Sequence, residues 1–301
     1  MSGPSRVVSF AAALSAVFAI SLLVGRSTDP KDDARAAGTS RQDGPAMGDA
    51  MGGHDDRGAT SPPPGASATA SPPGLAVADA RLRLVADRTA LPARRTESYT
   101  FRVVGPRGAT VRDFALEHGK RLHLIVVRRD LTGYQHLHPT QRPDGSWTVA
   151  LRLGTPGSYR VFADFTPAGG VKTTLGTDLL VDGNARYKPL PAAAATARAD
   201  GYNVTLGGAT AAGRMGKLSF TVTRGGVPIN DLQPYLEARG HLVALRAGDL
   251  AYLHVHPEDE ATPGDRISFM TDLPTAGRYR LFLQFKHRGA IHTVGFTHEV
   301  R

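Results

Sequence analysis

Two stretches of the sequence, LHLIVVRRDLTGYQHLHP at residues 122–139 and GHLVALRAGDLAYLHVHP at residues 240–257, decide the fold. They align without a gap, and each precedes a second matching stretch, TPGSYRVFADF at 155–165 and TAGRYRLFLQF at 275–285. A sequence that repeats itself in this way indicates one folding unit present twice. The chain of 301 residues has room for two domains of about 100 residues each and for additional segments.

Both copies have the texture of an all-β chain, with short alternating or wholly apolar runs bounded by Gly, Pro and Asp. We expect seven strands in each copy. The first set is near 79–86, 97–104, 121–128, 134–138, 146–153, 157–165 and 171–181, and the second is near 202–207, 216–224, 240–246, 251–256, 266–272, 277–286 and 290–300. The sixth strand of each opens with Gly-x-Tyr, at Tyr159 and Tyr279, which resembles the tyrosine corner of immunoglobulin-like sandwiches. The sequence therefore predicts two tandem immunoglobulin-like (Greek-key) β-sandwich domains, at 77–183 and 201–301, joined by a linker at 184–200.

The N-terminal part of the chain has a different character. Residues 7–25 form an uncharged run bracketed by Arg6 and Arg26, long enough to cross a bilayer as a helix. We interpret residues 1–26 as a signal anchor, a single transmembrane helix in the cell membrane with the bulk of the chain extracytoplasmic. The alternative is a cleaved signal peptide and a secreted protein. Residues 27–76 are rich in Ala, Gly, Ser, Pro and Asp and are predicted to be a disordered linker.

Composition excludes several kinds of chemistry. The chain has no Cys, which removes disulfides, thiolate metal sites, iron–sulfur clusters and blue-copper centres. The formal net charge of +9 comes from single Arg residues spread through both copies, without a basic helix or an aromatic platform. We therefore expect no nucleic-acid partner.

With Cys absent, histidine is the main candidate metal ligand. Six of the 11 His residues fall in one repeated pattern, His-x12-His-x-His-Pro. Two His at positions i and i+2 of a strand point to the same face of the sheet. A hairpin turning near residues 131–132 would pair 125 with 138 and 127 with 136, and would place His123 diagonally across from His138 on that face.

Three imidazoles on one face, without Cys, suit copper or zinc. The last strand of the second copy adds His292 and His298, and the sequence therefore favours the second domain as the site. The candidate metal ligands are His241, His254, His256, His292, His123, His136 and His138. Met47, Met51 and His54 in the predicted linker are possible auxiliary ligands. The alternative is a structural corner, in which the imidazoles satisfy backbone groups at a strand end.

The quoted stretches resemble an actinobacterial family of membrane-anchored, secreted-type proteins, over roughly residues 77–300. The resemblance implies a sandwich architecture similar to the copper-resistance CopC and YtkA-like domains, and a place beside envelope metal-transport proteins. The chain departs from the CopC pattern because it lacks a His at a mature N-terminus. No CopC ligand is therefore carried over.

Three function classes follow. The first is a membrane-anchored protein of envelope metal handling that binds a transition metal through clustered His. The second is a non-catalytic structural or interaction module of the envelope. The third is an enzyme, which we do not expect, since the sequence contains no nucleophile elbow, phosphate-binding loop or HExxH helix.

Overall fold

The computed structural model of the chain describes residues 72–79, 81–253, 255–258 and 266–301. These residues belong to one compact unit. The predicted anchor at 1–26 and the predicted linker up to residue 71 lie outside them. Within the described ranges, no helix is both long and apolar enough to span a bilayer.

The first sandwich consists of ten strands and one short 3-10 turn, Pro106–Gly108. The strands are β1 (Ala78–Asp79), β2 (Leu82–Ala86), β3 (Ala90–Leu91), β4 (Thr96–Val104), β5 (His123–Arg128), β6 (Gln135–Leu137), β7 (Thr140–Gln141), β8 (Trp147–Arg152), β9 (Gly157–Phe165) and β10 (Thr173–Val181). One sheet has the order β1-β2-β4-β8-β7 and the other the order β3-β10-β9-β5-β6.

The second sandwich repeats this plan. Its strands are β11 (Thr196–Ala199), β12 (Tyr202–Ala211), β13 (Arg214–Arg224), β14 (Val227–Pro228), β15 (Gly240–Arg246), β16 (Tyr252–Leu253), β17 (His256–Pro257), β18 (Arg266–Asp272), β19 (Gly277–His287) and β20 (Ala290–Val300). One sheet has the order β11-β12-β13-β18-β17, with β14 paired to β13, and the other has the order β16-β15-β19-β20.

The prediction of tandem all-β sandwiches is confirmed, and every predicted strand overlaps an observed one. The tyrosine corners are also present: Tyr159 and Tyr279 each donate from the phenol to a backbone carbonyl four residues upstream, over 2.8 Å. The second sandwich begins earlier than expected, at Thr196, within the predicted linker. Its first hairpin turns at Asp200-Gly201, where both residues have positive φ, as a two-residue hairpin turn requires.

Each sandwich has its own apolar core, and a third apolar cluster lies between the two sandwiches. In β5 and β15, alternate residues face the core of their own sandwich, as Leu124 and Leu242 do. The residues between them face the other sandwich. The cluster formed in this way, called the junction core below, comprises Ile125, Val127, Leu131, Phe162, Val243, Leu245, Leu250, Tyr252 and Phe282.

Packing in the junction core is reciprocal. Tyr134 of the first sandwich stacks on Phe282 of the second, with ring centroids 4.1 Å apart. Tyr252, which aligns with Tyr134, contacts Phe162, which aligns with Phe282, at 5.6 Å. The two copies are therefore related at this junction by an approximate twofold axis, as in an isologous interface.

Residues 72–76, the end of the predicted linker, belong to the folded unit and are called the strap below. Gly74 N donates to Thr174 O over 2.9 Å, and Gly176 N donates to Ala76 O over 2.8 Å, which adds the strap to the edge of β10. The Arg160 guanidinium donates to the carbonyl oxygens of Gly74 and Leu75. The strap also reaches the second sandwich, because its Pro73 carbonyl accepts a hydrogen bond from the backbone of β16.

The strap requires a glycine opposite it. A Cβ atom at Gly176 would lie 2.0 Å from Gly74 O, so Gly176→Ala must displace the strap. We expect this substitution to lower the free energy of unfolding by roughly 1–3 kcal/mol and to expose the strap to proteolysis, both measurable on the purified chain. Gly154→Ala is the matched control, since no atom lies within 4 Å of the added methyl group. Equal stability of the two variants would contradict the close approach.

Candidate metal centre

Three of the predicted ligands meet at one end of the junction core. They are His123 on β5, His136 on β6 and His241 on β15, and one ring nitrogen from each lies within 4.8 Å of the others. The rings of His123 and His241 are nearly parallel with centroids 5.9 Å apart, and those of His136 and His241 are 4.5 Å apart. We call these residues the triad. Both sandwiches contribute to it.

The register of the β5–β6 hairpin differs from the predicted one by two residues. Ile125 pairs with His136, rather than with His138, because the turn is centred on Asp130 and Leu131, one residue earlier than predicted. Asp130 braces this turn by accepting hydrogen bonds from the backbone and side chain of Thr132. A shift of two residues keeps every side chain on its predicted face, so His136 and His138 still face the junction with His123.

Hydrogen bonds outside the triad fix which nitrogen of each ring bears a proton. Nε2 of His123 lies 3.2 Å from the Glu117 carbonyl oxygen, which only accepts, so Nε2 donates and Nδ1 carries a lone pair. Nδ1 of His136 lies 2.7 Å from Oε1 of Gln284. In the amide orientation of the structure, Nε2 of Gln284 also donates to Thr293 over 3.2 Å. With Oε1 facing the ring, Nδ1 of His136 donates and Nε2 carries a lone pair.

These two lone pairs face each other. Nδ1 of His123 and Nε2 of His136 are 2.9 Å apart, and neither carries a proton in the tautomers assigned from these outer bonds. Two acceptors at this distance repel unless a cation stands between them or beside them. Metal-binding His residues characteristically donate their other N–H to a carbonyl or carboxyl group, as both rings do here.

Burial disfavours a proton as the cation between these two nitrogens, because it disfavours the charged form of each ring. It lowers the pKa of His136 to about 3, assisted by the neighbouring rings of His123 and His138. Burial, His123 and Lys120 lower the pKa of His138 to about 4. The pKa of His123 is also lowered, chiefly by burial. At neutral pH these rings are therefore neutral, which is the form that binds metals.

His138 stands next to the triad as a fourth candidate ligand. Its ring centroid lies 5.1 Å from that of His123 and 4.8 Å from that of His136. Its Nε2 atom is buried and has no hydrogen-bond partner among the described residues. A buried neutral nitrogen without a partner is costly, and coordination of an ion would satisfy it.

The structure does not bring His292 to the triad. It lies on β20 with Val294 and Phe296, which face the core of the second sandwich, on the opposite side of the sheet from His241. Its Nδ1 bonds Asp200 at 2.9 Å, and its ring packs 4.5 Å from that of Tyr202.

The other His residues of the second copy are placed as follows. His298 bonds the Thr210 hydroxyl at 2.7 Å, and His287 bonds the Tyr202 hydroxyl at 2.7 Å. His254 lies outside the described residues, and of His256 only the backbone is described, paired with Met270. The sequence favoured the second domain as the metal site. In the structure, two members of the triad come from the first sandwich and one comes from the second.

The sequence analysis missed the outer partners, Gln284 and the Glu117 carbonyl. It also missed the convergence of the two copies on one site. A signal for the convergence was present: the runs LIVV at 124–127 and LVAL at 242–245 are apolar at every position, which is typical of strands buried on both faces.

A comparison with protein families agrees with the duplication. The model of a family described as a domain of unknown function (DUF8832) matches residues 76–178 and again residues 196–301. The chain belongs to this family. It carries two DUF8832 domains, which coincide with the two sandwiches. No curated protein matches the chain.

Among solved structures, the Escherichia coli adhesin FdeC is 16% identical, with a TM-score of 0.24, covering 73% of this chain and 64% of the adhesin. Salmonella alpha-2-macroglobulin is 12% identical, with a TM-score of 0.26, covering 76% of this chain and 15% of that one. A putative membrane anchored protein from Corynebacterium diphtheriae is 11% identical, with a TM-score of 0.23, covering 74% of this chain and 59% of that one. The chain thus spans less than two thirds of each of these structures, and its function has to be argued from its own residues.

Proposed function

We propose that the chain is a membrane-anchored, extracytoplasmic protein that binds one transition-metal ion between its two DUF8832 domains, in envelope metal handling or resistance. The observation that carries this proposal is the convergence of one ring nitrogen each from His123, His136 and His241 within 4.8 Å of one another. The ion is copper, with zinc as the second choice, because imidazole ligands suit both and Cu(II) binds more tightly in the general affinity order. The role is binding rather than catalysis.

The geometry needs little adjustment to hold an ion. Metal–nitrogen bonds of about 2.0–2.1 Å in a tetrahedral site place the ligand nitrogens about 3.3 Å apart. The His123 and His136 nitrogens, at 2.9 Å, would separate slightly, and His241 would close in from within 4.8 Å. His138 can supply the fourth nitrogen without a change of strand register.

The extracytoplasmic location rests on the sequence alone, on the apolar run at residues 7–25 between two Arg residues. The likeness to membrane-anchored actinobacterial proteins and to CopC and YtkA-like sandwiches supports the same placement and suggests envelope metal-transport proteins as partners. Secretion after signal cleavage is the alternative for the location.

Metal uptake tests the proposal. The full chain, purified in mild detergent because of residues 7–25, is incubated with Cu(II) or Zn(II), desalted and assayed for metal. We expect about one ion per chain to be retained, since the described residues form one triad, and we expect none in the variant combining His123→Gln, His136→Gln and His241→Gln.

His298→Gln is the matched control, because His298 bonds Thr210 away from the triad. It should retain as much metal as the unaltered chain. No retained metal in the unaltered chain, or equal retention in the triple variant, would refute the proposal.

The second candidate function is a structural or interaction module of the envelope. It is favoured by the junction core, which joins the two sandwiches through buried apolar side chains without requiring an ion. Under this alternative the triple variant keeps its fold and its partners, and the unaltered chain emerges from desalting free of metal.

A further inference from the structure

A cleft opens beside the triad, between two equivalent turns. Residues 117–120 and 235–238 precede β5 and β15, and each turn is closed by a reciprocal pair of backbone hydrogen bonds, of 2.7 and 3.0 Å in the first and 2.7 and 3.3 Å in the second. Their central residues all have positive φ, which fixes both turns in the tight type I′ form.

The cleft has a volume of about 530 Å³, far more than one metal ion needs, and we call it the mouth. Its lining includes His118, Lys120, His138, Tyr235, Glu237 and Lys286. Both turns contribute to it, so the mouth lies where the approximate twofold axis of the junction leaves the protein.

Imidazoles lead from the mouth to the triad. His118 stands at the tip of the first turn, with its ring centroid 6.4 Å from that of His123. His138 lines the mouth and also lies within 5.1 Å of the rings of His123 and His136. A metal ion entering here meets nitrogen ligands before it reaches the buried site, so it need not lose all its water at once.

Positive charge exceeds negative charge along this path. Lys120 and Lys286 line the mouth together with one carboxylate, that of Glu237, and Lys120 lies close enough to His138 to disfavour a further positive charge there. Like charges slow the approach of a free cation. Coordination by an imidazole nitrogen at the rim would offset this repulsion.

We infer that the mouth is the route by which the metal ion enters and leaves, with His118 as the first ligand to capture it and His138 as the relay to the triad. This inference rests on the proposed function. It makes the ion exchangeable cargo, passed through a ligand-lined opening, rather than a permanently enclosed structural ion. It also identifies the rim of the mouth as the place where a metal donor or acceptor has to approach.

Exchange kinetics on the full chain in detergent test this route. Loading is followed after mixing with Cu(II), and removal after adding excess EDTA to the loaded protein. A ligand that acts only along the route changes both rates equally and leaves the equilibrium unchanged. We therefore expect His118→Gln to slow loading and removal together, each by about tenfold, with the dissociation constant nearly unchanged.

Two further variants sharpen the test. Lys120→Gln removes a repelling charge, so loading should become about two- to threefold faster, the opposite direction from His118→Gln. His298 lies away from the mouth and the triad and bonds Thr210, so His298→Gln should change neither rate.

Two outcomes would overturn the route: unchanged rates in His118→Gln, or a lower affinity in His118→Gln with unchanged loading. Both require that the unaltered chain binds metal, so they differ from failure of the proposed function, in which it binds none.

Discussion

Acidifying the metal-free protein from pH 6.5 to pH 4.5 is expected to lower its free energy of unfolding, with about 2 kcal/mol of the loss due to His136 alone. The pKa of His136 is lowered to about 3 in the folded state by burial and by the rings of His123 and His138. Above pH 6.5 the ring is neutral in both states and contributes no pH dependence. Between about pH 6.5 and pH 3 only the unfolded chain binds the proton, so each unit of acidification favours unfolding by about 1.4 kcal/mol.

The chosen pH window separates His136 from the carboxylates. Asp130 and Asp249 have pKa values held below the usual range, Asp249 chiefly by its hydrogen bond from Arg246 and Asp130 by hydrogen bonds that include one from Arg128. Their contributions disappear only below the ordinary carboxyl pKa of about 3.9. Urea denaturation followed by the single tryptophan, Trp147, at both pH values measures the loss.

His136→Gln provides the control for this prediction. It cannot bind the proton in either state, so the loss of stability between pH 6.5 and pH 4.5 should shrink by about 2 kcal/mol, whatever its stability at neutral pH. A variant as acid-sensitive as the unaltered chain would show that His136 is not held neutral in the folded state.

Phe162→Ala is expected to destabilise the protein by ~3–5 kcal/mol. Phe162 is fully buried, but it lies in the junction core rather than in the core of either sandwich. Truncation therefore leaves a cavity between the two sandwiches, where Tyr252 and the strap contact the ring. Urea denaturation at neutral pH measures the loss.

Val171→Ala is the matched control, because Val171 is 70% exposed and should cost no more than about 0.5 kcal/mol. A double-mutant cycle with Tyr252→Ala then isolates the contact across the junction, with an expected coupling of about 0.5–1.5 kcal/mol. Additive effects of Phe162→Ala and Tyr252→Ala would contradict the packing of these rings against each other.

Much of the fold could be predicted from the sequence because it depends on local patterns. The period-2 alternation, the Gly-x-Tyr corners and the internal repeat predict the strands and their duplication, and the structure agrees. The early start of the second sandwich was also within reach, since Asp200-Gly201 is a strong hairpin signal, yet the Ala- and Pro-rich residues before it favoured a linker.

The candidate site could be predicted only in part from the sequence. The sequence predicts that His123, His136 and His138 share a face. The pleat of the strand places His136 and His138 together, and any register that differs from the predicted one by an even number of residues leaves His123 on the same face. The exact pairing of β5 with β6 depends on how Asp130 braces the turn, and the prediction was wrong by two residues. Which side of a sheet faces another domain depends on packing between distant segments, and for that reason His292 was grouped with His241 although they lie on opposite faces of one sheet.

The reciprocal contacts of Tyr134 with Phe282 and of Tyr252 with Phe162 have a consequence for how such a chain arises. When residue i of one copy meets residue j of the other, and j meets i, the surface is complementary to itself. We expect that a single sandwich with these side chains would form a homodimer through the same surface, with the His123 position of each subunit beside the dimer axis. Duplication of such a subunit followed by fusion would account for the present chain. It would also allow the two copies to differ, as Asp164 and Gln284 do at equivalent positions.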